Sequence, residues 1–494
     1  MGSFADAAKR EANFTRTENG AKALESTGSA CLDLFGSIGS LREADQTRVE
    51  RLFADAYAED PLTAVKIAFY GRDIREGLGE RKSFRILLSY MAQHMPEAVL
   101  PNLDLIGEYG RYDDWYALVG TPCEDAMWTA MRSQLDADLT AADAGKAPSL
   151  LAKWLKTADA SQEKTRKLGI LTAQKLGRTV YEYKRQVRAL RKILRIVERD
   201  MSSNAWNEIR YDAVPSRAMM LYTAAFTKHD EDRFLEYLEN VNTGKAKIHA
   251  KDLFPYDIAE KFLYTNVSKA NEASLEAQWK ALPDYVQAGT NILVMADTSG
   301  SMYGRPLASA LGLAVYFAER NTGAYHNLFM SFSSGPQFFE TKGETLKQKF
   351  AYLKEKGDGI WDCNTDLSLA MHRILDVAVA NHVPAEEMPK ALVIISDMEI
   401  DECTDNNILL YDDIRQSFAK EGYDVPNLVF WNVNSRHNVF HISANASYAQ
   451  CVSGQSAAVF HQVINALDMT PYEAMQRVIG SKRYEPITIA KKAA

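Results

Sequence analysis

An aspartate and two serines at alternate positions follow an apolar run and could together bind a metal ion. The run covers residues 291–296, and the polar residues after it are Asp297, Ser299 and Ser301. A short apolar run is typical of a buried parallel strand, and open α/β sheets bind ligands at the carboxyl ends of such strands. Carboxylate and hydroxyl oxygens suit Mg²⁺ or Mn²⁺. We therefore expect a divalent-cation site in a solvent-facing crevice at this strand end.

This Asp-x-Ser-x-Ser spacing resembles the metal-ion-dependent adhesion site of von Willebrand factor A domains. That family adds a threonine from a later loop and an aspartate after a later strand, and Thr365 and Asp397 stand at the matching places. The resemblance implies that Asp297, Ser299, Ser301, Thr365 and Asp397 hold Mg²⁺ or Mn²⁺, directly or through water. It also implies that the metal's open position accepts a partner's carboxylate or an anion rather than activating water.

More strand-like runs follow the first one and are separated by helix-length segments. They cover residues 327–333, 337–340, 390–397 and 427–434. This alternation predicts a doubly wound, mostly parallel sheet. A nucleotide-binding Rossmann domain is the alternative, but no G-x-G-x-x-G or G-K-[ST] phrase follows the first strand to cradle a phosphate.

The remaining polar residues do not indicate an enzyme. His229, His249, His326 and His372 show no H-x-x-x-H or H-E-x-x-H arrangement, and no G-x-S-x-G elbow is present. A two-metal hydrolytic site would need further carboxylates. Acidic loop residues beside a strand end are usually solvated, so we expect a binding protein. The carboxylates that could suggest such a site are Asp366, Glu399, Asp401 and Glu402.

Composition and pattern divide the chain into three parts. Helical patterns dominate up to about residue 285, and the strand-like runs come after it. We expect a multidomain α + α/β architecture: a flexible arm over residues 1–40, a HEAT-like helical-repeat module over 41–285, and a von Willebrand A-like domain with a C-terminal tail over 286–494. The five cysteines lack C-x-x-C spacing, and no apolar run approaches the roughly 18 residues of a membrane helix. We therefore expect a cytoplasmic protein that has no membrane partner.

Positive charge is concentrated in one stretch of this otherwise acidic chain, whose net charge is −8. Residues 153–199 hold fourteen Lys and Arg against four Asp and Glu. Helical spacing places half of these cations on one face of a single predicted helix over residues 179–201. A cationic stripe is typical of phosphate-backbone binding, although a solvated face balanced by acidic neighbours fits the charge pattern equally well. The stripe consists of Lys184, Arg185, Arg188, Arg191, Lys192, Arg195 and Arg199.

Several phrases of the helical half resemble the TROVE module of Ro ribonucleoproteins. A glycine-rich basic turn over residues 70–84 precedes an E-Y-G-x-x-x-D-W phrase at 108–115 and an L-A-K-W phrase at 151–154. The resemblance implies a ring of helical repeats that the A domain closes, with a central opening for single-stranded RNA ends. Arg72, Arg75 and Arg81 would then contact phosphates. Surface ion pairs and helix ends explain the same residues without RNA.

Two functions remain open from the sequence. One is a non-enzymatic ribonucleoprotein scaffold that binds structured or single-stranded RNA on the basic helical surface. The alternative is a protein–protein adaptor that uses its metal site to bind an acidic partner residue, without RNA. RNA binding should weaken steeply with salt, so salt dependence separates the two functions.

Overall fold

The structure is a computed structural model that describes residues 4, 8, 11–286, 291–332, 335–357, 365–401, 410–447 and 449–490. A small antiparallel hairpin of β1 (Phe14–Arg16) and β2 (Lys22–Leu24) comes first. The helices that follow are α1 (Ala30–Ser37), α2 (Gln46–Glu59), α3 (Pro61–Arg72), α4 (Lys82–His94), α5 (Pro96–Val99), α6 (Leu105–Tyr109), α7 (Glu124–Asp143), α8 (Leu151–Trp154), α9 (Glu163–Lys175), α10 (Val180–Ile193), α11 (Val197–Ser202), α12 (Ser216–His229), α13 (Glu231–Asn242), α14 (Pro255–Tyr264) and α15 (Lys269–Lys280).

The C-terminal part is built around a six-stranded sheet, here called the α/β domain. Its strand order is β5-β4-β3-β6-β7-β8, with β4 and β5 antiparallel and all other neighbours parallel. Its elements are β3 (Ile292–Asp297), α16 (Arg305–Arg320), β4 (Leu328–Phe332), β5 (Gln337–Glu340), α17 (Leu346–Gly357), α18 (Leu367–Ala380), β6 (Ala391–Ser396), α19 (Leu410–Lys420), β7 (Asn427–Asn432), β8 (Ala449–Ser453), α20 (Ala458–Ile464) and α21 (Pro471–Ile479). The predicted fold class, a helical module followed by a mostly parallel sheet, is confirmed.

Local sequence explains how several of these elements begin. Asp60 ends α2 and also caps α3, because its carboxylate accepts the N–H of Thr63 while Pro61 occupies the first helical position. The strands β3 and β6 are buried at every position, as strands covered on both faces should be. One hydrophobic core runs through both the helical module and the sheet.

The N-terminal segment is packed, whereas the sequence suggested a flexible arm over residues 1–40. Every residue from Cys31 to Ser37 is buried. Leu24 pairs its backbone with Phe440, and the N–H of Gly39 donates to the Ser453 hydroxyl at 3.0 Å. The segment is ordered because it contributes apolar surface and backbone hydrogen bonds to the edge of the α/β domain. This correction applies to the described residues 11–40.

The single helix expected over residues 179–201 is also corrected, because the structure has two helices there, α10 and α11. Arg195 lies between them with a φ of 47°, a left-handed conformation that breaks the helix. The break has a packing reason. Val187 and Leu190 of α10 belong to the main core, whereas Val197 of α11 belongs to a second, smaller apolar cluster around Phe226.

A close backbone approach between the N-terminal segment and the sheet leads to a stability prediction. A Cβ atom added to Gly39 would lie 2.6 Å from the Cα of Gly454, which no side-chain rotation can relieve. We expect Gly39→Ala to destabilise the protein by about 1–3 kcal/mol, the usual cost of overpacking. Gly335→Ala is the matched control, because its Cβ would meet open space. Urea unfolding of both variants measures the difference, and equal midpoints would contradict the prediction.

Candidate functional site

Two neighbouring strands deliver the acidic candidate ligands to one edge of the sheet. β3 pairs in parallel with β6, with Ala296 opposite Ile395. Asp297 is the last residue of β3, and Asp397 follows β6 directly. Their side chains are buried, at 0% and 1% exposure. The two carboxyl groups therefore lie in a buried crevice rather than in the solvent-facing one expected from the sequence.

Hydrogen bonds hold the Asp297 carboxylate in place beside two serine hydroxyls. Its Oδ1 accepts the N–H of Ser299 at 2.9 Å, and its Oδ2 accepts the hydroxyl of Ser396 at 2.6 Å. The hydroxyl oxygens of Ser299 and Ser301 are 3.1 Å apart. Adjacent ligands of an octahedral ion bonded at about 2.1 Å are separated by about 3.0 Å, so the serine spacing fits Mg²⁺.

The loop after β6 carries one of the other two predicted ligands, Asp397, and contacts the second, Thr365. The Thr365 hydroxyl lies 3.0 Å from the carbonyl oxygen of Glu399 and 3.1 Å from Oδ1 of Asp401. Asp397 accepts the N–H of Glu399 at 3.2 Å and the Nη2 of Arg436 at 3.0 Å. Thr365 is therefore bound to the same loop that carries Asp397.

Burial and charge crowding act on Asp297. Burial first, and the Asp397 carboxylate second, raise the pKa of Asp297 to about 7, although hydrogen bonds from Ser396 and Ser299 act in the opposite direction. Arg436 already supplies a counter-charge to Asp397, whereas Asp297 makes no ion pair among the described residues. A divalent cation would supply the missing counter-charge, so the donor set and its electrostatics both fit Mg²⁺ or Mn²⁺.

The turn of the N-terminal hairpin lies against this crevice, which the sequence did not predict. The Asn19 side-chain amide donates to the Glu399 carbonyl at 2.7 Å and lies 3.3 Å from the Thr365 hydroxyl oxygen. The Glu18 carboxylate pairs with Arg436, whose other terminal nitrogen contacts Asp397. Asn19 and Thr365 are 346 positions apart in the chain, so no local pattern could reveal their contact.

A second feature is a cavity of about 1540 Å³, here called the basic cavity. Thirteen Lys and Arg line it against eight Asp and Glu. The wall is formed largely by residues of the helical module, from Arg42 to Glu260, and includes Arg305 of the α/β domain. The cavity therefore has a positive wall although the chain as a whole is acidic.

Most of the residues predicted to contact RNA lie in the cavity wall. Arg72 is 2% exposed and donates to Asp114 at 2.7 Å. Its guanidinium therefore forms a buried ion pair within the wall and does not face solvent. Arg191 donates to the carbonyl oxygens of Ala152 and Leu155, both at 2.8 Å. Those that line the basic cavity are Arg72, Arg75, Arg81, Lys184, Arg188, Arg191 and Arg199, whereas Arg185, Lys192 and Arg195 are exposed outside its wall.

The cavity wall also contains cations that were not among the RNA contacts predicted from the sequence. Arg305 is the first residue of α16, and its guanidinium stacks on the Tyr256 ring at 4.1 Å. Burial, and then repulsion from Arg42, lower the pKa of Arg305 to about 9. These cations are scattered along the chain and only the fold collects them: Arg42, Lys82, Arg111, Lys153, Arg217 and Arg305.

Comparison with known proteins places the chain in a family. The family model described as Domain of unknown function (DUF2828) matches residues 17–115 and 145–292, which together make up half of the chain. The chain therefore belongs to this family. A second model, Domain of unknown function (DUF7788), matches residues 291–493.

Two individual proteins are similar over most of the chain. The uncharacterized protein L728 of Acanthamoeba polyphaga mimivirus is 26% identical, over 97% of this chain and 89% of that protein. The crystal structure of the Deinococcus radiodurans Ro (RSR) protein aligns with a TM-score of 0.45 and 15% identity, over 88% of this chain and 93% of that one. Among the described residues, no helix is both long and apolar enough to cross a membrane.

The raised pKa of Asp297 predicts how the stability of the metal-free protein depends on pH. Its ordinary pKa is about 3.9, so between about pH 4 and pH 7 the unfolded chain loses this proton while the folded protein keeps it. The group therefore stabilises the fold fully below about pH 4, and this contribution falls as the pH rises from 4 and is lost once the pH has passed 7. Asp297→Asn removes the titration.

Urea unfolding in EDTA at several pH values tests this expectation. The difference in unfolding free energy between the parent and Asp297→Asn should change by up to about 1.4 kcal/mol per pH unit within this window. Asp125→Asn, whose side chain is 97% exposed, should show no such trend. A pH-independent difference for Asp297→Asn would contradict the assignment.

Proposed function

We propose that this protein is a non-enzymatic RNA-binding scaffold that holds RNA phosphates along the wall of the basic cavity. The single observation that carries the proposal is the excess of Lys and Arg on that wall. The proposal includes a divalent cation at Asp297, Ser299, Ser301, Thr365 and Asp397. Such an ion would organise the crevice and offer an open position to an oxygen ligand.

Part of this positive charge has no ion-pair partner among the described residues. Six of the thirteen cations make no ion pair within the part of the chain that the structure describes. A cation on a partly dehydrated wall gains more from an anionic ligand than one on an open surface, because the effective dielectric constant is lower there. These six are Arg81, Lys82, Lys153, Arg188, Arg191 and Arg305.

The size and lining of the basic cavity favour a polymer over a small anion. Its volume of about 1540 Å³ exceeds the range of about 300–1,000 Å³ that is usual for small-molecule pockets. The cavity wall also contains the aromatic side chains of Tyr112, Trp154 and Tyr222 among its cations. The Trp154 ring already stacks under the Arg111 guanidinium at 3.8 Å. Cations interleaved with aromatic rings are typical of single-stranded nucleic-acid sites, where bases stack and phosphates pair.

Charge reversal on the cavity wall tests RNA binding. We expect the triple variant Lys184→Glu, Arg188→Glu and Arg199→Glu to lose most of its affinity for a fluorescein-labelled oligouridylate. Each phosphate contact that is lost should flatten the slope of log K against log salt by about 0.7, the single-strand value. Fluorescence anisotropy across a salt series measures both quantities.

The same stretch of chain offers a matched control. The variant Arg185→Glu, Lys192→Glu and Arg195→Glu has the same change in charge, but these residues lie outside the cavity wall. It should keep most of the affinity and the salt slope of the parent. Equal losses in both triple variants would mean that net charge matters and the cavity does not. A parent that binds no RNA would favour the adaptor function instead.

Removal of one carboxylate tests the cation. Asp297→Asn keeps the side-chain size and an acceptor for the Ser396 hydroxyl, so the buried crevice should remain intact. We expect calorimetric titration to show Mg²⁺ and Mn²⁺ binding by the parent and none by this variant, with RNA affinity measured separately. Asp125→Asn serves again as the exposed control. Unchanged Mg²⁺ affinity in Asp297→Asn would refute the site.

A further inference from the structure

Three side chains of the kinds that bind metals converge beside the crevice, outside the predicted Mg²⁺ ligands. Glu18 comes from the turn of the N-terminal hairpin, Glu399 from the loop after β6 and His437 from the loop after β7. One donor atom from each lies within 4.8 Å of the other two. The sequence suggests Glu399 only as part of a two-metal hydrolytic site, and Glu402 of that set lies outside the described residues.

The distances within this cluster suit coordination. His437 Nδ1 lies 3.0 Å from Oε1 of Glu399 and 3.5 Å from Oε1 of Glu18. Ligands bonded at about 2.1 Å are separated by about 3.0 Å in octahedral and about 3.4 Å in tetrahedral geometry. A single imidazole N–H can satisfy only one of the two carboxylates, whereas an ion between the three atoms would satisfy all of them.

The groups around the cluster hold each ligand while leaving one oxygen of each carboxylate for an ion. Oε2 of the buried Glu399 accepts the N–H of Glu18 at 2.7 Å, and Oε2 of Glu18 pairs with Arg436. Arg48 donates to the carbonyl oxygen of His437 at 2.6 Å and so fixes the loop. Outer contacts of this kind orient metal ligands. The His437 side chain is 54% exposed, so an ion can reach the cluster from solvent.

We propose that Glu18, Glu399 and His437 bind a divalent transition-metal ion, Zn²⁺ or Mn²⁺, at a site separate from the Mg²⁺ crevice. One imidazole nitrogen with two carboxylates suits these ions, whereas Mg²⁺ prefers oxygen ligands alone. The ion would join the N-terminal hairpin to two loops of the sheet, across 381 positions between Glu18 and Glu399. This proposal does not depend on RNA binding.

The test is a calorimetric titration of Zn²⁺ into protein that has first been stripped of bound metal and then saturated with Mg²⁺. We expect the parent to bind one Zn²⁺, and His437→Ala and Glu18→Gln to weaken that binding at least tenfold. His461→Ala is the matched control, because His461 is exposed and bonded to Asn465, away from the cluster. Asp297→Asn should keep the Zn²⁺ site, which separates this proposal from the Mg²⁺ assignment.

A second readout follows the hairpin itself. Zn²⁺ should slow hydrogen exchange at residues 14–24 in the parent and in His461→Ala, but not in His437→Ala, because metal binding stabilises only the state that holds the ligands together. Failure of the parent to bind Zn²⁺ or Mn²⁺ while Mg²⁺ is present would overturn the proposal. So would retention of full Zn²⁺ affinity in His437→Ala, which would leave the cluster as a simple histidine–glutamate pair.

Discussion

The parallel pairing of β3 with β6 is the constraint on which the rest of the structure depends. It places two buried carboxyl groups, Asp297 and Asp397, at one strand edge, where burial and the Asp397 carboxylate raise the pKa of Asp297. The surrounding groups donate hydrogen bonds to both carboxylates. Ser396 and Ser299 donate to Asp297, and Arg436 donates to Asp397. Because Arg436 also pairs with Glu18, the guanidinium that contacts Asp397 also holds the N-terminal turn at the crevice.

The acidic crevice and the basic cavity have opposite charges, but residues that are close together in the sequence contribute to both. The loop that contains Ser299 and Ser301 ends at Gly304, and the next residue, Arg305, begins α16 on the cavity wall. A left-handed φ of 89° at Gly304 makes this turn, which a side chain would strain. A short segment therefore connects the proposed metal site to Arg305, whose guanidinium makes no ion pair among the described residues.

The sequence predicted the sheet well because buried parallel strands have continuous apolar runs, as β3 and β6 do. It missed β8, whose Ala449–Ser453 sequence contains glutamine and serine and lacks that signal. It placed Asp297, Ser299 and Ser301 together at the end of one strand because they are neighbours in the sequence. It could not place Glu18 at the crevice or Arg305 at the cavity, because only tertiary packing brings distant residues together. The one weak signal for His437 is its H-x-x-x-H spacing to His441, but His441 is buried and bonds to the Met398 carbonyl instead.

The position of the N-terminal turn also affects the choice between the two functions. An adaptor would need a partner's carboxylate to reach the crevice, where Asn19 and Glu18 already contact Thr365 and Arg436. These contacts belong to the same chain and therefore act at a high effective concentration, on the order of millimolar for flexible tethers and higher for packed segments. A partner's acid must displace them. RNA in the basic cavity meets such competition at the seven wall cations that pair with acids of the chain, but not at the six that make no ion pair among the described residues. The contacts at the crevice are a reason to propose the RNA scaffold before an adaptor that binds through the metal.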